Sequence, residues 1–82
     1  MDASLPLPVV GIDVSNASLA VCYLRDPQVQ HLEVNNTAAG FQQFVQACRA
    51  HGRFVMEATG IYYLALAHYL HEPSRQVAVL NP

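Results

Sequence analysis

The sequence has no lysine and no tryptophan, and charged residues make up only 12% of its 82 positions. Its four basic residues are all arginines and stand against six acidic residues, which gives a formal net charge of -2 at pH 7. Such a chain offers no basic patch that would hold phosphate groups. If the protein acts on nucleic acid, we therefore expect most of the electrostatic attraction to come from elsewhere.

No apolar run approaches the ~18 residues that cross a bilayer, which argues against a membrane protein. The first basic residue is Arg25, so the N-terminus lacks the positive segment of a signal peptide. Two cysteines without a paired motif add to the expectation of a reducing, cytoplasmic location. The 52% of hydrophobic residues excludes disorder and indicates one small globular domain or a piece of a larger one.

Five short apolar segments predict β-strands. They cover residues 9–14, 19–24, 28–34, 53–57 and 76–80. The first three strands are joined by short connections, which predicts an antiparallel meander. The later strands are separated by helical segments, which predicts parallel pairing with right-handed crossovers.

Two helices are predicted between the later strands. The first has N-cap candidates in Asn36-Thr37 and a C′ candidate in Gly52. Its apolar stripe comprises Phe41, Phe44, Val45 and Cys48. The second helix begins at Thr59-Gly60 and is stopped by Pro73. Its predicted stripe comprises Ile61, Leu64, Ala65 and His68.

The order βββαβαβ predicts an α/β fold, with a mixed five-stranded sheet and flanking helices. This is the layout of the ribonuclease-H-like fold. Residues 1–8 are expected to form a proline-containing lead-in, and residues 9–82 a partial domain. The chain stops directly after a strand, where an α/β domain would normally add a covering helix, so we expect a truncated domain.

Two acidic residues stand in unusual places. Asp13 lies inside the first predicted strand, and Glu57 ends the fourth. If these strands are parallel neighbours about 4.8 Å apart, both carboxylates can reach one cation, and hard oxygen ligands favour Mg²⁺ or Mn²⁺. A structural pairing or capping role stays open as the alternative, and the other four acids are expected to be solvated charges.

Several neighbouring residues admit two interpretations. Gly11 shares the strand face of Asp13, where it either leaves room for a ligand or permits a tight contact. Ser15 and Thr59 are able to bind the carboxylates or a phosphate, but turn formation and helix capping are the commoner roles of such residues. His68 and His71 have the spacing of half a zinc site, but no third soft ligand is suitably placed.

The cysteines and two tyrosines are expected to be structural for the most part. Cys22 and Cys48 should pack as small hydrophobic residues. Of Tyr62 and Tyr63, one is expected to face the core and the other to border the site.

Four segments carry a resemblance to a known family over nearly the whole chain. They are Val10-Gly11-Ile12-Asp13-Val14-Ser15, Asn36-Thr37-Ala38-Ala39-Gly40-Phe41, Met56-Glu57-Ala58-Thr59-Gly60-Ile61-Tyr62 and Val79-Leu80-Asn81-Pro82. Together they closely resemble the N-terminal domain of the DEDD transposases of the insertion-sequence family IS-one-ten, which includes the Piv-type DNA invertases. Asn16 departs from this pattern, because many relatives have lysine there.

The resemblance implies a RuvC-like catalytic domain in which four acids, Asp-Glu-Asp-Asp, hold two divalent cations. Asp13 matches the first acid and Glu57 the second; the last two lie beyond the segment that ends at Pro82. The resemblance also implies DNA substrates (transposon ends and target), a noncoding bridging RNA and a further domain with a serine nucleophile in the full-length protein. We expect the full-length protein to form a homo-oligomer.

In the implied two-metal mechanism, Asp13 bridges the cations and Glu57 holds one of them during phosphodiester displacement. With half the ligands missing, the 82-residue chain is expected to bind Mg²⁺ weakly and to cleave nothing.

Two other classes compete with this interpretation. An actin-like or sugar-kinase-type phosphotransferase also begins with a strand bearing an aspartate, but it needs a glycine-containing phosphate loop that Val14-Ser15-Asn16-Ala17 lacks. A non-catalytic interaction fragment is the third possibility, because an uncovered sheet face invites association.

Overall fold

The strands of the computed structural model form one five-stranded sheet, and the model describes residues 9–25, 27–48, 52–58 and 60–80. The strands are β1 (Val9–Val14), β2 (Ser18–Arg25), β3 (Gln28–Asn35), β4 (Arg53–Ala58) and β5 (Gln76–Leu80). The helices are α1 (Ala38–Ala47) and α2 (Leu64–Leu70). The predicted order βββαβαβ is therefore confirmed. The predicted lead-in, residues 1–8, lies outside the described residues.

The sheet is mixed, with the strand order β3-β2-β1-β4-β5. Strand β2 runs antiparallel to both β1 and β3, which confirms the predicted meander. Strand β4 runs parallel to β1 on one side and to β5 on the other. The carboxyl ends of β1, β3, β4 and β5 consequently meet at one rim of the sheet.

Alternation along the strands gives the sheet two different faces. Val10, Ile12 and Val14 are buried in β1, whereas Asp13 between them is exposed. Because successive side chains of a strand point to opposite faces, one face holds the core and the other is open. Both helices pack on the core face, where the helices and the C-cap of α1 contribute Phe41, Phe44, Cys48, Leu66 and Leu70 to the buried cluster.

Helix α1 begins with a Thr37 cap and fits closely against the end of β3. The Thr37 side chain accepts a hydrogen bond from the Gly40 backbone N–H at 3.2 Å, as expected for an N-cap threonine. A Cβ atom at Gly40 would lie 1.9 Å from the carbonyl oxygen of Asn35. Position 40 therefore requires glycine, because the helix backbone approaches the strand too closely for a side chain.

The predicted end of α1 at Gly52 is wrong. The helix ends at Ala47, with the buried Cys48 as its C-cap. Gly52 lies directly before β4, and its carbonyl accepts a hydrogen bond from the Gln76 N–H at 2.7 Å. Gly52 thus extends the contact between β4 and the start of β5 instead of ending a helix.

The predicted start and stripe of α2 are also wrong. Gly60 adopts a left-handed φ of 74° in a turn, and the helix begins only at Leu64. Its buried residues are Leu66 and Leu70, while Ile61 is 70% exposed. The other predicted stripe members, Leu64, Ala65 and His68, are exposed as well. The segment is apolar on more than one side, so packing against the core selects the buried face.

Two aromatic contacts fix the helices on the core face. Phe44 meets Phe54 of β4 edge-on, with ring centroids 6.2 Å apart. Phe41 meets Tyr69 of α2 in a tilted arrangement at 5.3 Å. Such geometries are the favoured ones for aromatic pairs. Within the part of the chain that the structure describes, no helix is long and apolar enough to cross a membrane.

Candidate functional site

Asp13 and Glu57 are direct partners in the parallel pairing of β1 with β4. Both are exposed and belong to the open face, since their strand neighbours on either side are buried toward the helices. Neighbouring strands are about 4.8 Å apart, so the two carboxylates stand side by side. The structure brings together the two acids that the sequence singled out, near the rim where β1 and β4 end.

A third acid shares their row across the sheet. Asp13 pairs with Ala20 of β2, and Ala20 pairs with Glu33 of β3. Glu33 is exposed on the same open face, and only the small Ala20 side chain stands between it and Asp13 in that row. Sequence reasoning assigned Glu33 to a solvent-exposed position, which is correct, but it did not place this acid in line with the pair. The register between β1, β2 and β3 puts Glu33 in this row, and the sequence alone did not provide that register.

An open cavity of about 720 Å³ lies over this face. Asp13, Glu33 and Glu57 line it together with Gly11 and His31. A Cβ atom at Gly11 would approach nothing closer than the Cys22 carbonyl oxygen at 3.9 Å, an ordinary contact distance. Of the two interpretations of Gly11, the structure therefore favours open space beside Asp13 over a tight contact.

The carboxylates of Asp13 and Glu57 have no cationic partner among the side chains that the structure describes. The ion pair found there joins Glu72 to Arg75, whose closest atoms are 3.1 Å apart, and Ser74 also donates to Glu72. Like charges facing each other across a strand pair are unfavourable. Among the described side chains, the site therefore presents two adjacent carboxylates without a positive neighbour.

The described ranges contain no group of three or more His, Cys, Asp or Glu side chains placed to hold one metal ion. His68 and His71 are both exposed at the end of α2. Asp13 and Glu57 thus offer two carboxylate donors and not a closed coordination shell, which for Mg²⁺ has about six positions.

The turns at this rim are held by side-chain hydrogen bonds. The Ser15 hydroxyl donates to the Ser18 carbonyl at 3.0 Å, so Ser15 shapes the turn after β1, one of the two roles considered for it. The Asn36 side-chain amide donates to the carbonyl of Ser15 at 2.9 Å and to that of Tyr62 at 3.0 Å. Sequence reasoning considered Asn36 only as an N-cap candidate and missed this link. Thr59 lies outside the described residues.

The cysteines differ in environment, and one of the two tyrosines faces the core as expected. Cys48 is buried, and this burial raises the pKa of its thiol to about 11. Cys22 is exposed on the open face, so the prediction that it packs as a small hydrophobic residue is wrong. Cys22 lies between the buried Val21 and Tyr23 in β2, so its side chain is on the face opposite the helices. Tyr63 packs against the core, whereas Tyr62 is 47% exposed.

Comparison with known proteins adds an independent line of evidence. A family model described as Transposase, for DEDD transposases of the IS110 (IS-one-ten) type, matches residues 10–82. The pilin gene-inverting protein of Moraxella bovis is 27% identical over 79 residues, which cover 89% of this chain and 24% of that protein. The pilin gene-inverting protein of Moraxella lacunata gives the same identity and coverage. The chain thus spans about a quarter of the length of these curated relatives.

Among solved structures, a crystal structure of the Aquifex aeolicus member of the Ppx/GppA family is similar over 93% of this chain and 35% of that chain. The sequence identity is 14% and the TM-score is 0.40, a likeness too low to support an argument.

Proposed function

Because this chain belongs to the DEDD transposase family of the IS110 type, we propose that it forms part of a catalytic domain that cleaves and transfers DNA strands. In this proposal Asp13 and Glu57 hold a divalent cation, Mg²⁺ or Mn²⁺, at the substrate phosphate. The observation that carries the proposal is their direct pairing on the open face of β1 and β4.

The donor set suits such an ion. Both groups are carboxylates, which are the ligands that Mg²⁺ and Mn²⁺ prefer. They are exposed and lack a described cationic partner, so a bound cation would relieve their mutual repulsion. When bound, the metal supplies charge stabilisation for the attacking and leaving oxygens of a phosphodiester displacement. The protein's own contribution is to hold two anionic donors at a fixed spacing on rigid strands.

A ribonuclease-H-like, RuvC-like class is part of the proposal. Its support is the mixed sheet, with the acid-bearing β1 in the centre and β4 parallel beside it. The remaining acids of the Asp-Glu-Asp-Asp set would come from the part of a full-length protein that this chain does not contain. The 82-residue chain alone is therefore expected to bind Mg²⁺ weakly and to leave DNA uncut.

DNA contact must be shared with other parts of the protein. The chain has only four arginines and no lysine against six acids, so it contributes little of the positive charge that attracts phosphates. The names of the Moraxella relatives, pilin gene-inverting proteins, are consistent with a recombination substrate. A noncoding bridging RNA and a homo-oligomeric full-length protein belong to the same proposal.

A Mn²⁺ titration followed by NMR tests the metal site. Paramagnetic Mn²⁺ broadens the signals of nearby residues, so we expect selective broadening at the amides of Asp13 and Glu57 in the wild-type chain. Asp13→Asn and Glu57→Gln each remove one anionic donor and should abolish the selective effect.

Glu33→Gln is the matched control, because it removes the same charge from the same row of the sheet. It should leave the broadening at Asp13 and Glu57 in place. Broadening that persists in Asp13→Asn and Glu57→Gln would refute the proposed site. Reproducible nicking of DNA by the 82-residue chain, lost in Asp13→Asn, would instead show that two acids suffice.

A further inference from the structure

Asn36 connects three segments at the rim that carries the two carboxylates. Its side-chain nitrogen donates to the carbonyl of Ser15, two residues after Asp13, and to the carbonyl of Tyr62, in the turn that follows β4. Its backbone N–H donates to the Ala17 carbonyl at 2.9 Å. Asn36 itself lies between the end of β3 and the cap of α1. One residue thus ties the ends of β3, β1 and β4 together.

Within the described residues, few local hydrogen bonds hold the turn after β4. Gly60 is in a left-handed conformation, with open space around it. Tyr63, at the N-cap of α2, makes no side-chain capping hydrogen bond. The local bond from the Leu64 N–H to the Ile61 carbonyl is 3.1 Å long and lies within the turn. The Asn36 amide supplies a link to a distant part of the chain.

We propose that Asn36 is a positioning residue, which holds the turn after Glu57 against the turn after Asp13 and thereby fixes the rim of the carboxylate pair. The role at the metal site rests on the proposed function, whereas the tie between the turns rests on the two hydrogen bonds. Both hydrogens of one amide nitrogen are engaged, so aspartate, which has the same shape, cannot replace asparagine. It would place an anionic oxygen against two carbonyl oxygens.

Amide hydrogen exchange and the Mn²⁺ titration, both on the 82-residue chain, test this role. In Asn36→Asp we expect exchange at the Leu64 amide to rise about tenfold or more, because two hydrogen bonds are lost. We also expect Mn²⁺ broadening at Asp13 and Glu57 to require a higher Mn²⁺ concentration. An added negative charge near the site would by itself strengthen cation binding. Weaker Mn²⁺ binding in Asn36→Asp would therefore reflect the lost hydrogen bonds and not the new charge.

Asn16→Asp is the matched control. It adds the same charge to the exposed turn after β1, and no hydrogen bond of the Asn16 side chain is found within the described residues. It should leave amide exchange at Leu64 unchanged, and Mn²⁺ binding should be unchanged or stronger. If amide exchange at Leu64 is the same in Asn36→Asp as in Asn16→Asp, the proposed link between the two turns is refuted. If exchange rises but Mn²⁺ binding does not weaken, the turns are tied but the positioning role is refuted.

Asn36→Ala provides the test if Asn36→Asp fails to fold, because it removes the donors without introducing a charge. Wild-type exchange at Leu64 in Asn36→Ala would also overturn the proposal. A wild-type chain without selective Mn²⁺ broadening refutes the proposed metal site, and the positioning role with it. The exchange comparison would still decide whether Asn36 holds the two turns together.

Discussion

Replacing Gly40 with alanine should lower the free energy of unfolding substantially, although the change adds only a single methyl group inside a helix. The new Cβ would lie 1.9 Å from the carbonyl oxygen of Asn35 and 2.8 Å from its carbonyl carbon. Both are backbone atoms at the end of β3, so no side-chain rotation relieves the overlap. Helix α1 must move away from β3, and this movement disturbs the burial of Phe41 and Phe44.

The magnitude follows from two opposing effects. Overpacking of a close contact costs about 1–3 kcal/mol, and a clash with backbone belongs at the upper end of this range or above it. Alanine is preferred over glycine in helices by about 1 kcal/mol, which offsets part of the loss. We expect a net decrease of about 2 kcal/mol in the free energy of unfolding, which lowers the Tm of a domain of this size by roughly 10 °C.

Urea unfolding followed by circular dichroism measures this loss, and two other glycines, Gly11 and Gly60, provide controls. Gly11→Ala meets only an ordinary contact at 3.9 Å and should leave the free energy of unfolding within about 0.5 kcal/mol. Gly60→Ala has space, but a left-handed φ of 74°, and should cost about 1 kcal/mol. A Gly40→Ala protein as stable as Gly11→Ala would refute the close approach of α1 to β3.

Further predictions concern the core, the helix cap and the thiols. Phe44→Ala empties a fully buried position beside Phe54 and should lower the free energy of unfolding by about 3–5 kcal/mol in urea titrations. Thr37→Ala removes the cap of α1 and should cost about 1 kcal/mol in the same assay. The folded-state pKa of the Cys48 thiol is raised from 9.0 to about 11. The contribution of the neutral thiol to the free energy of unfolding is therefore complete below pH 9 and should be lost as pH rises toward 11. Cys48→Ala should lack this pH dependence. At pH 8, a disulfide reagent should modify the exposed Cys22 rapidly and the buried Cys48 only on unfolding.

The strands and the carboxylate pair could be predicted because local and long-range signals agree there. The alternation of β1 separates Asp13 from the buried Val10, Ile12 and Val14. The helix between β3 and β4 requires a crossover, which allows the carboxyl ends of β1 and β4 to meet at one rim. The connections within the meander are short, so each strand pairs with its neighbour in sequence.

The remaining features depend on packing that periodicity does not encode. In α2, both possible stripes are apolar, and contact with the core selects Leu66 and Leu70. The register across β2 decides that Glu33 falls in line with Asp13. The double hydrogen bond of Asn36 joins residues 21 and 26 positions away in sequence, so no local pattern indicates it.

The parallel contact between β1 and β4 also has a kinetic consequence. The β1–β2–β3 meander joins neighbours in sequence, and hairpins of this kind form in about 1–10 μs. Alignment of β4 with β1 must instead close a loop that contains two strands and a helix, which is entropically costlier and slower. We therefore expect Asp13 and Glu57 to become neighbours late in folding. A divalent ion that binds them should retard unfolding while leaving the refolding rate nearly unchanged.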